Sequence, residues 1–504
     1  MSLGDIGWSL GLLLLAATFG TQPKYNDSGV SSCLPPATKM IYVADEKHAL
    51  NAAGLQAAIN AACNGTSSGR VTIRPGVVSL GTTGLTVPNN CDVGGSSRAR
   101  TILIFASTSQ STFLGNAEAT PTHIRIHDLT LDGGSGRSAR ESCVAMNAVT
   151  APRDITIDHV QCQNIGGHGI WISATARNPG QRIQIVACKV LNGGLATGTA
   201  GQLYGIQISF NSHVSVVNNE IANGGLTLGI AAFSSLNASS VTPIVDIQIK
   251  HNRIHDLPFN GTPGAAIDVG RARQVVADDN VIFKLAQGGC IFFESVWGGS
   301  MARNACSVAD TVLTGGPMVV KIPDTTQDGE VASHDIAIVA NRITDNSGAS
   351  TTNGAITVNG AERNITISGN TIRYVNQPTN NPASIYLQLG TSDANIKAAG
   401  QNFCNAITVS RNTIIGLAGP SRSTITGIQL QQNSPACMPD QIVLANNTVH
   451  GLFRGIFVTA GSNNGISRAY IHDNVLQGNR IGVTNDGKTY ASVYFWNNRG
   501  TKHN

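Results

Sequence analysis

The residues best suited to chemistry are three charged side chains in a chain that otherwise carries few charges. Asp268, Glu294 and Lys321 stand in the phrases AAIDVG, CIFFES and VVKIPD, whereas charged residues make up only 12% of the sequence. When the repeated strands are aligned on their small first residue, all three fall at the second outward position of consecutive repeats. Stacked strands at that register would place the three Cβ atoms about 5 Å apart from strand to strand.

Two reactions fit this trio. In a lyase, Lys321 would remove the proton beside a uronate carboxyl group, and a calcium ion held by Asp268 and Glu294 would neutralise that carboxylate. Arg271 or Arg273, which closely follow Asp268 in the sequence, could neutralise it instead. In a hydrolase, Asp268 and Glu294 would be the acid and the nucleophile or base. Calcium is thus the one candidate cofactor.

The same three charges also fit a purely structural role. Opposite charges on adjacent strands form surface ion pairs, and such pairs contribute little to stability. Lys321 with Glu294 could be such a pair. A register error of one residue within 264–268 or 316–321 would also break the column, because it turns every side chain to the opposite side of the strand. Both interpretations stay open from the sequence alone.

Aromatic and amide side chains occupy the outward positions beside the trio. The alignment places Trp171, Phe292 and Tyr386 in the neighbouring column, with Ala266 one repeat before Phe292. Aromatic rings can stack on the apolar faces of sugars, and an amide such as that of Gln388 can hydrogen-bond their hydroxyl groups. The pattern therefore predicts a surface that binds a polysaccharide.

An internal repeat positions these residues. A short alternating strand is followed by Asn, any residue and an aliphatic residue, roughly every 30 residues. The Asn slot is filled by Asn219, Asn252, Asn280, Asn341, Asn370, Asn412, Asn447, Asn474 and Asn498, by Thr311 between the third and fourth of these, and by Leu129, Val160 and Cys188 in earlier repeats. Stacked asparagines can form a hydrogen-bonded ladder and tolerate a tight turn. We therefore interpret them as structural.

The second phrase of each repeat begins with a small residue and then alternates, as in GIWISA and GIFVTA. These lengths leave no room for helices between strands, which excludes a βαβ fold. Residues 53–63, AGLQAAINAAC, predict one amphipathic helix with Leu55 and Ile59 on its apolar side. A solenoid needs such a cap, because an open core would aggregate.

The helix, the strand RVTIRPG that follows it and the Asn-marked coils together resemble the pectate-lyase-like superfamily. The resemblance implies an all-β fold, a right-handed parallel β-helix solenoid of about a dozen coils with an N-terminal capping helix. It would form a single domain over residues 53–504. This superfamily includes polysaccharide lyases, glycoside hydrolases, epimerases, phage tailspikes and adhesins, so the resemblance implies a fold more specifically than an activity.

A local likeness to polygalacturonases lies in SCVAMN and QCQNIGGHGIWIS. Cys143, Cys162 and His168 match that family's pattern in type and order. The family's paired aspartates, however, would fall at Glu141 and Ser142, and its downstream Arg-x-Lys motif is missing. The likeness therefore does not imply polygalacturonase chemistry, and we expect His168 to have a role in a turn.

The cysteines and the N-terminus indicate the compartment. Ten cysteines without a CxxC pair fit the disulfides of an exported protein, with buried free thiols as the alternative. The apolar run LGLLLLAA at 10–17 resembles the core of a signal peptide, although no Lys or Arg precedes it. We expect a signal peptide at 1–20, an N-terminal extension at 21–52 and a secreted, periplasmic or cell-surface location. The alternative for the run is an apolar segment packed on the solenoid.

These features favour an exported carbohydrate-active protein, a polysaccharide lyase or glycoside hydrolase acting on an acidic glycan. The alternative is a non-catalytic glycan-binding adhesin or a tailspike-like fibre, which would be a trimer. An enzyme should hold its trio in a walled cleft, whereas a fibre should have a flat face and a subunit interface. Nucleic acid is an unexpected partner, because the net charge of +4 is thinly spread. No later segment is long and apolar enough to span a membrane.

Overall fold

The computed structural model describes residues 39–43, 47–64, 68–105, 112–116, 118–134, 142–195, 203–234, 243–257, 264–285, 288–308, 316–321, 332–345, 354–375, 383–390, 404–417, 425–432, 438–459, 465–486 and 492–500. All of them belong to one compact unit, Cys33–Asn504. The expected signal peptide at 1–20 lies outside the described residues.

The described chain is a right-handed parallel β-helix, as the sequence predicted. Each coil contributes short strands to three faces, and every pairing between successive coils is parallel. Along strands such as Thr122–His127 and Asn405–Ser410 buried residues alternate with more exposed ones, because a strand turns successive side chains to opposite sides. The third face alone has 13 strands within the described residues, in agreement with a solenoid of about a dozen coils.

Face 1 carries the candidate site. Its strands are β4 (Leu85–Val87), β7 (Thr112–Asn116), β10 (Ser142–Val149), β13 (Ile170–Ala174), β16 (Tyr204–Ser209), β19 (Leu228–Phe233), β26 (Met318–Lys321), β29 (Ile356–Gly360), β32 (Ala383–Leu389), β35 (Thr426–Gln432), β38 (Arg454–Thr459) and β40 (Ile481–Asn485). Two long strands, β22 (Ala265–Asp278) and β24 (Gly289–Ala302), continue from face 1 into face 2.

The other two faces complete each coil. Face 2 comprises β1 (Lys39–Val43), β2 (Gly69–Ile73), β5 (Cys91–Gly94), β8 (Thr122–His127), β11 (Arg153–Asp158), β14 (Gly180–Val186), β17 (Asn211–Val217), β20 (Ile244–Lys250), β27 (His334–Val339), β30 (Arg363–Ser368), β33 (Asn405–Ser410), β36 (Asp440–Ala445), β39 (Ala469–His472) and β41 (Val493–Trp496). Face 3 comprises β3 (Gly76–Gly81), β6 (Thr101–Phe105), β9 (Thr130–Asp132), β12 (Gln161–Gln163), β15 (Lys189–Gly193), β18 (Glu220–Gly224), β21 (Arg253–His255), β23 (Val281–Leu285), β25 (Ala305–Val308), β28 (Arg342–Asp345), β31 (Thr371–Tyr374), β34 (Thr413–Ile415) and β37 (Thr448–His450).

One helix, α1 (Ala52–Ala62), caps the N-terminal end, as predicted. The Asn51 side chain accepts a hydrogen bond from the backbone N–H of Gly54 at 2.9 Å and so satisfies a free amide of the first turn. Leu55 and Ile59 are fully buried against the solenoid core. Strand β1 precedes this helix and pairs with β2, so the described solenoid begins within the segment expected to be an extension.

The asparagine ladder forms, with one correction to its membership. Asn304, not Thr311, fills the slot between Asn280 and Asn341: the amide N–H groups of Asn280 donate to Asn304 Oδ1, and those of Asn304 donate to Asn341 Oδ1. Thr311 lies outside the described residues. The sequence pattern missed Asn304 because Cys306, rather than an aliphatic residue, stands two positions after it.

Disulfides are present, as the even number of cysteines suggested; one joins the end of α1 to β5, and two join strands of the same coil. They connect Cys63 to Cys91, Cys143 to Cys162 and Cys290 to Cys306. Cys404 is also disulfide-bonded, whereas Cys188 is a buried free thiol. Such bonds fit a protein that folds in an oxidising compartment. No helix of the described residues has the length and apolar character needed to cross a membrane.

Candidate functional site

The register of face 1 brings two members of the trio together as predicted and moves the third. Glu294 pairs with Lys321 on the next strand, in the expected column. Asp268 instead pairs with Ala231 on one side and Phe292 on the other, so it belongs to the neighbouring outward column. Gly270 occupies the position beside Glu294 that the sequence alignment had assigned to Asp268. Asp268 is therefore a diagonal neighbour of Glu294 rather than a direct one.

Glu294 and Lys321 form a close ion pair on this face. The Lys321 Nζ lies 3.1 Å from Glu294 Oε1, and the side chains are only 17% and 14% exposed. The same ammonium group lies 5.8 Å from the centre of the Phe292 ring. An ion pair this enclosed is less screened than a solvated surface pair, so it can keep a carboxylate in a fixed position.

Asp268 has a carboxyl group surrounded by protein, although part of the residue is exposed. Burial and the neighbouring charge of Glu294 raise the pKa of Asp268 well above its usual value, and the positive charge of Lys321 opposes them only in part. Both main causes disfavour the ionised form. Asp268 is therefore suited to hold a proton and donate it.

Tyr204 lies near Asp268 and is a site residue that the sequence interpretation missed. Burial and the charge of Asp268 raise the pKa of its hydroxyl. Its ring belongs to a small apolar cluster with Leu228, Ala231 and Ala265, outside the main core. The only signal in the sequence was its place directly before the small residue of the phrase YGIQIS, outside the two columns that the alignment considered.

His168 and Trp171 extend this part of the face. The His168 ring lies 4.5 Å from the Trp171 ring and stacks on Tyr204 with centroids 5.3 Å apart. Its Nδ1 accepts a hydrogen bond from the backbone N–H of Tyr204 at 3.2 Å. The ring therefore packs among the aromatic residues of face 1, and His168 does more than shape a turn. The disulfide between Cys143 and Cys162 forms beside it.

Phe292 and two glycines shape the floor beside the charged residues. The Phe292 ring lies over Gly289, where any Cβ would collide with the ring and with the Gly316 carbonyl. Phe292 also packs against the apolar cluster that contains Tyr204. Trp171, Asp268 and Phe292 share a single column with Tyr386 farther along the axis.

The C-terminal part of the face is rich in amides. The Tyr386 hydroxyl donates to the side chain of Gln431 at 2.7 Å, and Gln429 donates to the same oxygen at 3.0 Å. Gln388 lies between Asn359 and Gln431 in the column of Lys321. Polar groups fixed in this way can recognise sugar hydroxyls.

The two arginines proposed as partners of the trio lie elsewhere. Arg273 is exposed on face 2, where its guanidinium stacks 4.2 Å above the Trp297 ring. Arg271 is buried at the corner between the faces, with a left-handed backbone (φ 53°) and a carbonyl that accepts from Ser234. Arg273 therefore does not join the trio, because the strand has turned onto another face after Asp268.

The geometry of Asp268 and Glu294 does not favour a calcium site. Glu294 is engaged by the Lys321 ammonium, and burial favours the protonated form of Asp268. Calcium prefers several ionised or carbonyl oxygens. These two carboxyl groups alone do not form such a set.

A separate network of charges occupies the N-terminal part of face 2. His127 Nε2 lies 2.9 Å from Asp92 Oδ1 and its Nδ1 lies 2.8 Å from Asp128 Oδ2, while Arg125 donates to Asp158 at 2.8 Å. Burial lowers the pKa of His127, but the two aspartates outweigh it and the net pKa is raised. His127, Asp128 and Asp158 have the spacing of metal ligands. Both ring nitrogens and the Asp158 carboxylate are already engaged, so the group is better explained as a structural network.

One further carboxyl group is enclosed away from these sites. Glu362 is fully buried between β29 and β30. Burial raises its pKa well above the usual value, and a backbone hydrogen bond from Ser333 opposes this only in part. Glu362 therefore favours its protonated form in the folded protein.

The described chain is a parallel β-helix with charged and aromatic side chains grouped on face 1. A family model described as "Right handed beta helix region" matches residues 112–296. No protein with a curated description matches the sequence.

Solved structures share the fold at low sequence identity. The surface protein and adhesin PfbA of Streptococcus pneumoniae is 13% identical, with a TM-score of 0.50 over 91% of this chain and 100% of that one. The A-module of mannuronan C-5 epimerase AlgE6 from Azotobacter vinelandii is 16% identical, with a TM-score of 0.45 over 89% and 95%. The catalytic unit of an α-1,3-glucanase from Streptomyces thermodiastaticus is 14% identical, with a TM-score of 0.47 over 87% and 71%. The likeness to the adhesin indicates the fold alone.

Proposed function

We propose that the protein is an exported glycoside hydrolase that acts on an acidic glycan bound along face 1. The observation that carries this proposal is the pair of carboxyl groups in contrasting surroundings: the Asp268 carboxyl group is enclosed by protein and favours its proton, whereas Glu294 is paired with the Lys321 ammonium. Hydrolysis of a glycosidic bond needs one carboxylic acid and one carboxylate.

Asp268 would donate its proton to the glycosidic oxygen as the bond breaks. Glu294 would act as the base for water or as the nucleophile, with Lys321 holding its carboxylate in place. The aromatic column of Trp171 and Phe292 would stack on sugar rings.

The geometry supports a hydrolase over a lyase. In a lyase Lys321 would have to accept a proton, but its ammonium already donates to Glu294 at 3.1 Å. A base must be free to take the proton that it removes. Lys321 is better placed to position Glu294 than to act as the base.

The diagonal placement also bears on stereochemistry. One strand spacing and two residues along a strand place the Cβ atoms of Asp268 and Glu294 about 8 Å apart. Inverting hydrolases have carboxyl groups about 6.5–9.5 Å apart, which leaves room for a water molecule, whereas retaining enzymes have about 5–5.5 Å. We therefore expect the product to have the inverted anomeric configuration, which NMR of the fresh product would detect.

The test uses the purified protein on polygalacturonate, alginate and neutral glycans, with and without calcium. New reducing ends and the absorbance of unsaturated uronates are both followed. We expect reducing ends without absorbance, and a loss of about 100- to 10,000-fold in Asp268→Asn. Asp473→Asn, an exposed carboxyl group on another face, is the matched control and should retain full activity.

The other outcomes identify the competing functions. Absorbance that disappears in Lys321→Ala would establish a lyase and overturn the assignment of Asp268. Binding of glycans without either product would favour the adhesin. The expectation of a walled cleft concerns connections such as 309–315 and 322–331, which lie outside the described residues.

A further inference from the structure

Arg454 occupies an outward position on face 1, far along the axis from the catalytic candidates. It begins β38 and pairs with Thr426 on the preceding strand. Four strand-to-strand steps separate β38 from β26, the strand that carries Lys321. At about 4.8 Å a step, the separation is about 19 Å.

Aromatic rings hold this guanidinium in position. Its central carbon lies 4.9 Å from the centre of the Phe453 ring and 4.5 Å from that of Phe457. A second guanidinium, that of Arg480, lies 5.4 Å from the Phe453 ring. Cation–π contacts orient an arginine without neutralising its charge.

No carboxylate compensates these two positive charges within the described part of the chain. Arg454 Nε is enclosed and has no hydrogen-bond partner there, and burial alone lowers its pKa. By contrast, Arg182, Arg303 and Arg468 each bond an aspartate at 2.6 to 2.9 Å. An enclosed donor without a partner costs free energy unless a ligand satisfies it.

We propose that Arg454 and Arg480 bind an anionic substituent of a glycan that extends along face 1 from Asp268. This inference rests on the proposed function and deepens it, because it assigns the substrate class to particular residues. A planar guanidinium matches the two oxygens of a carboxylate. Phe457 lies in the column of Tyr386, so aromatic and amide groups line the path between the two sites.

Asp268 lies on β22, six strand-to-strand steps from β38. That separation of about 29 Å implies a preference for long substrates. A short oligosaccharide at Asp268 would not reach Arg454, whereas a longer chain would gain the additional contact. The anionic group itself could be the carboxylate of a uronic acid or a sulfate ester, since both present oxygens to a guanidinium.

The experiment measures binding by calorimetry, separately from catalysis. The probes are polygalacturonate against its methyl ester, alginate, and dextran sulfate against dextran. Arg454→Gln should weaken binding of the anionic glycan by about tenfold or more, the loss of one charge-assisted contact, and should reduce its preference over the neutral glycan by the same factor. Arg373→Gln, which removes an exposed charge on face 3, is the matched control and should bind normally.

Each outcome decides the inference. Dependence on Arg454 with polygalacturonate or alginate would identify a carboxylate, and with dextran sulfate a sulfate ester. An unchanged preference in Arg454→Gln, or no binding of any anionic probe by the natural protein, would overturn it. Because this assay needs no turnover, the inference can fail while Asp268-dependent hydrolysis stands, and it can hold where hydrolysis is not seen.

Discussion

Asn304→Ala tests the corrected asparagine ladder most directly. Asn304 Oδ1 accepts from the backbone N–H of Asn280 at 2.9 Å and from its side-chain Nδ2 at 3.0 Å. Asn304 Nδ2 donates to the Ala277 carbonyl at 2.7 Å and to Asn341 Oδ1 at 3.0 Å. Removing these groups leaves the buried N–H of Asn280 without its partner. The unsatisfied amide costs about 2 kcal/mol and the other lost hydrogen bonds about 1 kcal/mol more. We therefore expect the free energy of unfolding to fall by about 3 kcal/mol.

The assay is urea unfolding followed by circular dichroism and tryptophan fluorescence. Thr371→Ala, which removes an exposed hydroxyl group from β31 on face 3, is the control. We expect that variant to change the free energy of unfolding by no more than about 0.5 kcal/mol. Equal destabilisation by the two variants, or a neutral Asn304→Ala, would refute the ladder as described.

Three further predictions concern titratable groups. Burial raises the pKa of the Cys188 thiol to about 12, so iodoacetamide at pH 8 should label it only after unfolding; labelling of the native protein, read by peptide mass spectrometry, would contradict this. Because the pKa of Glu362 is raised in the folded state, the folded protein keeps a proton that the unfolded chain releases. The contribution of protonated Glu362 to stability is therefore full below about pH 4.5 and declines as the pH rises. Glu362→Gln should flatten that decline and stabilise the protein at pH 7, and identical pH profiles of urea midpoints would count against it. Asp92→Asn should lower the pKa of His127, because it removes a favourable partner of the charged ring; an unchanged NMR titration of His127 would exclude that coupling.

The fold could be predicted because its determinants are local and recur. Alternating strands and the Asn phrase fix the coil, and the capping helix follows from Leu55 and Ile59 on one side. The ladder lost one member in the sequence pattern where Cys306 replaced the usual aliphatic residue. That cysteine satisfies a different constraint, its disulfide with Cys290.

The candidate site was predicted only in part, since its register depends on one alignment choice. Gly264, Ala265 and Ala266 are all small, so the first residue of that phrase was ambiguous by two positions. The structure pairs Asp268 with Phe292, which places Ala266 at the start of the phrase, where Gly229 and Cys290 stand in adjacent coils. A shift of two keeps every side chain on its own side of the strand, so alternation alone cannot detect it.

The asparagine ladder also has a direction. The backbone N–H of Cys188 donates to Asn219 Oδ1, and that of Asn474 donates to Asn498 Oδ1, so each coil's amide is satisfied by the coil that follows it in the chain. During synthesis or export, the newest coil would therefore hold an open donor until the next one arrived. Folding from the N-terminus would then add one coil at a time. The open donor of each coil would favour a successor whose asparagine is in the matching register. A coil added out of step would leave that donor unmatched, which disfavours misassembly before the chain is complete.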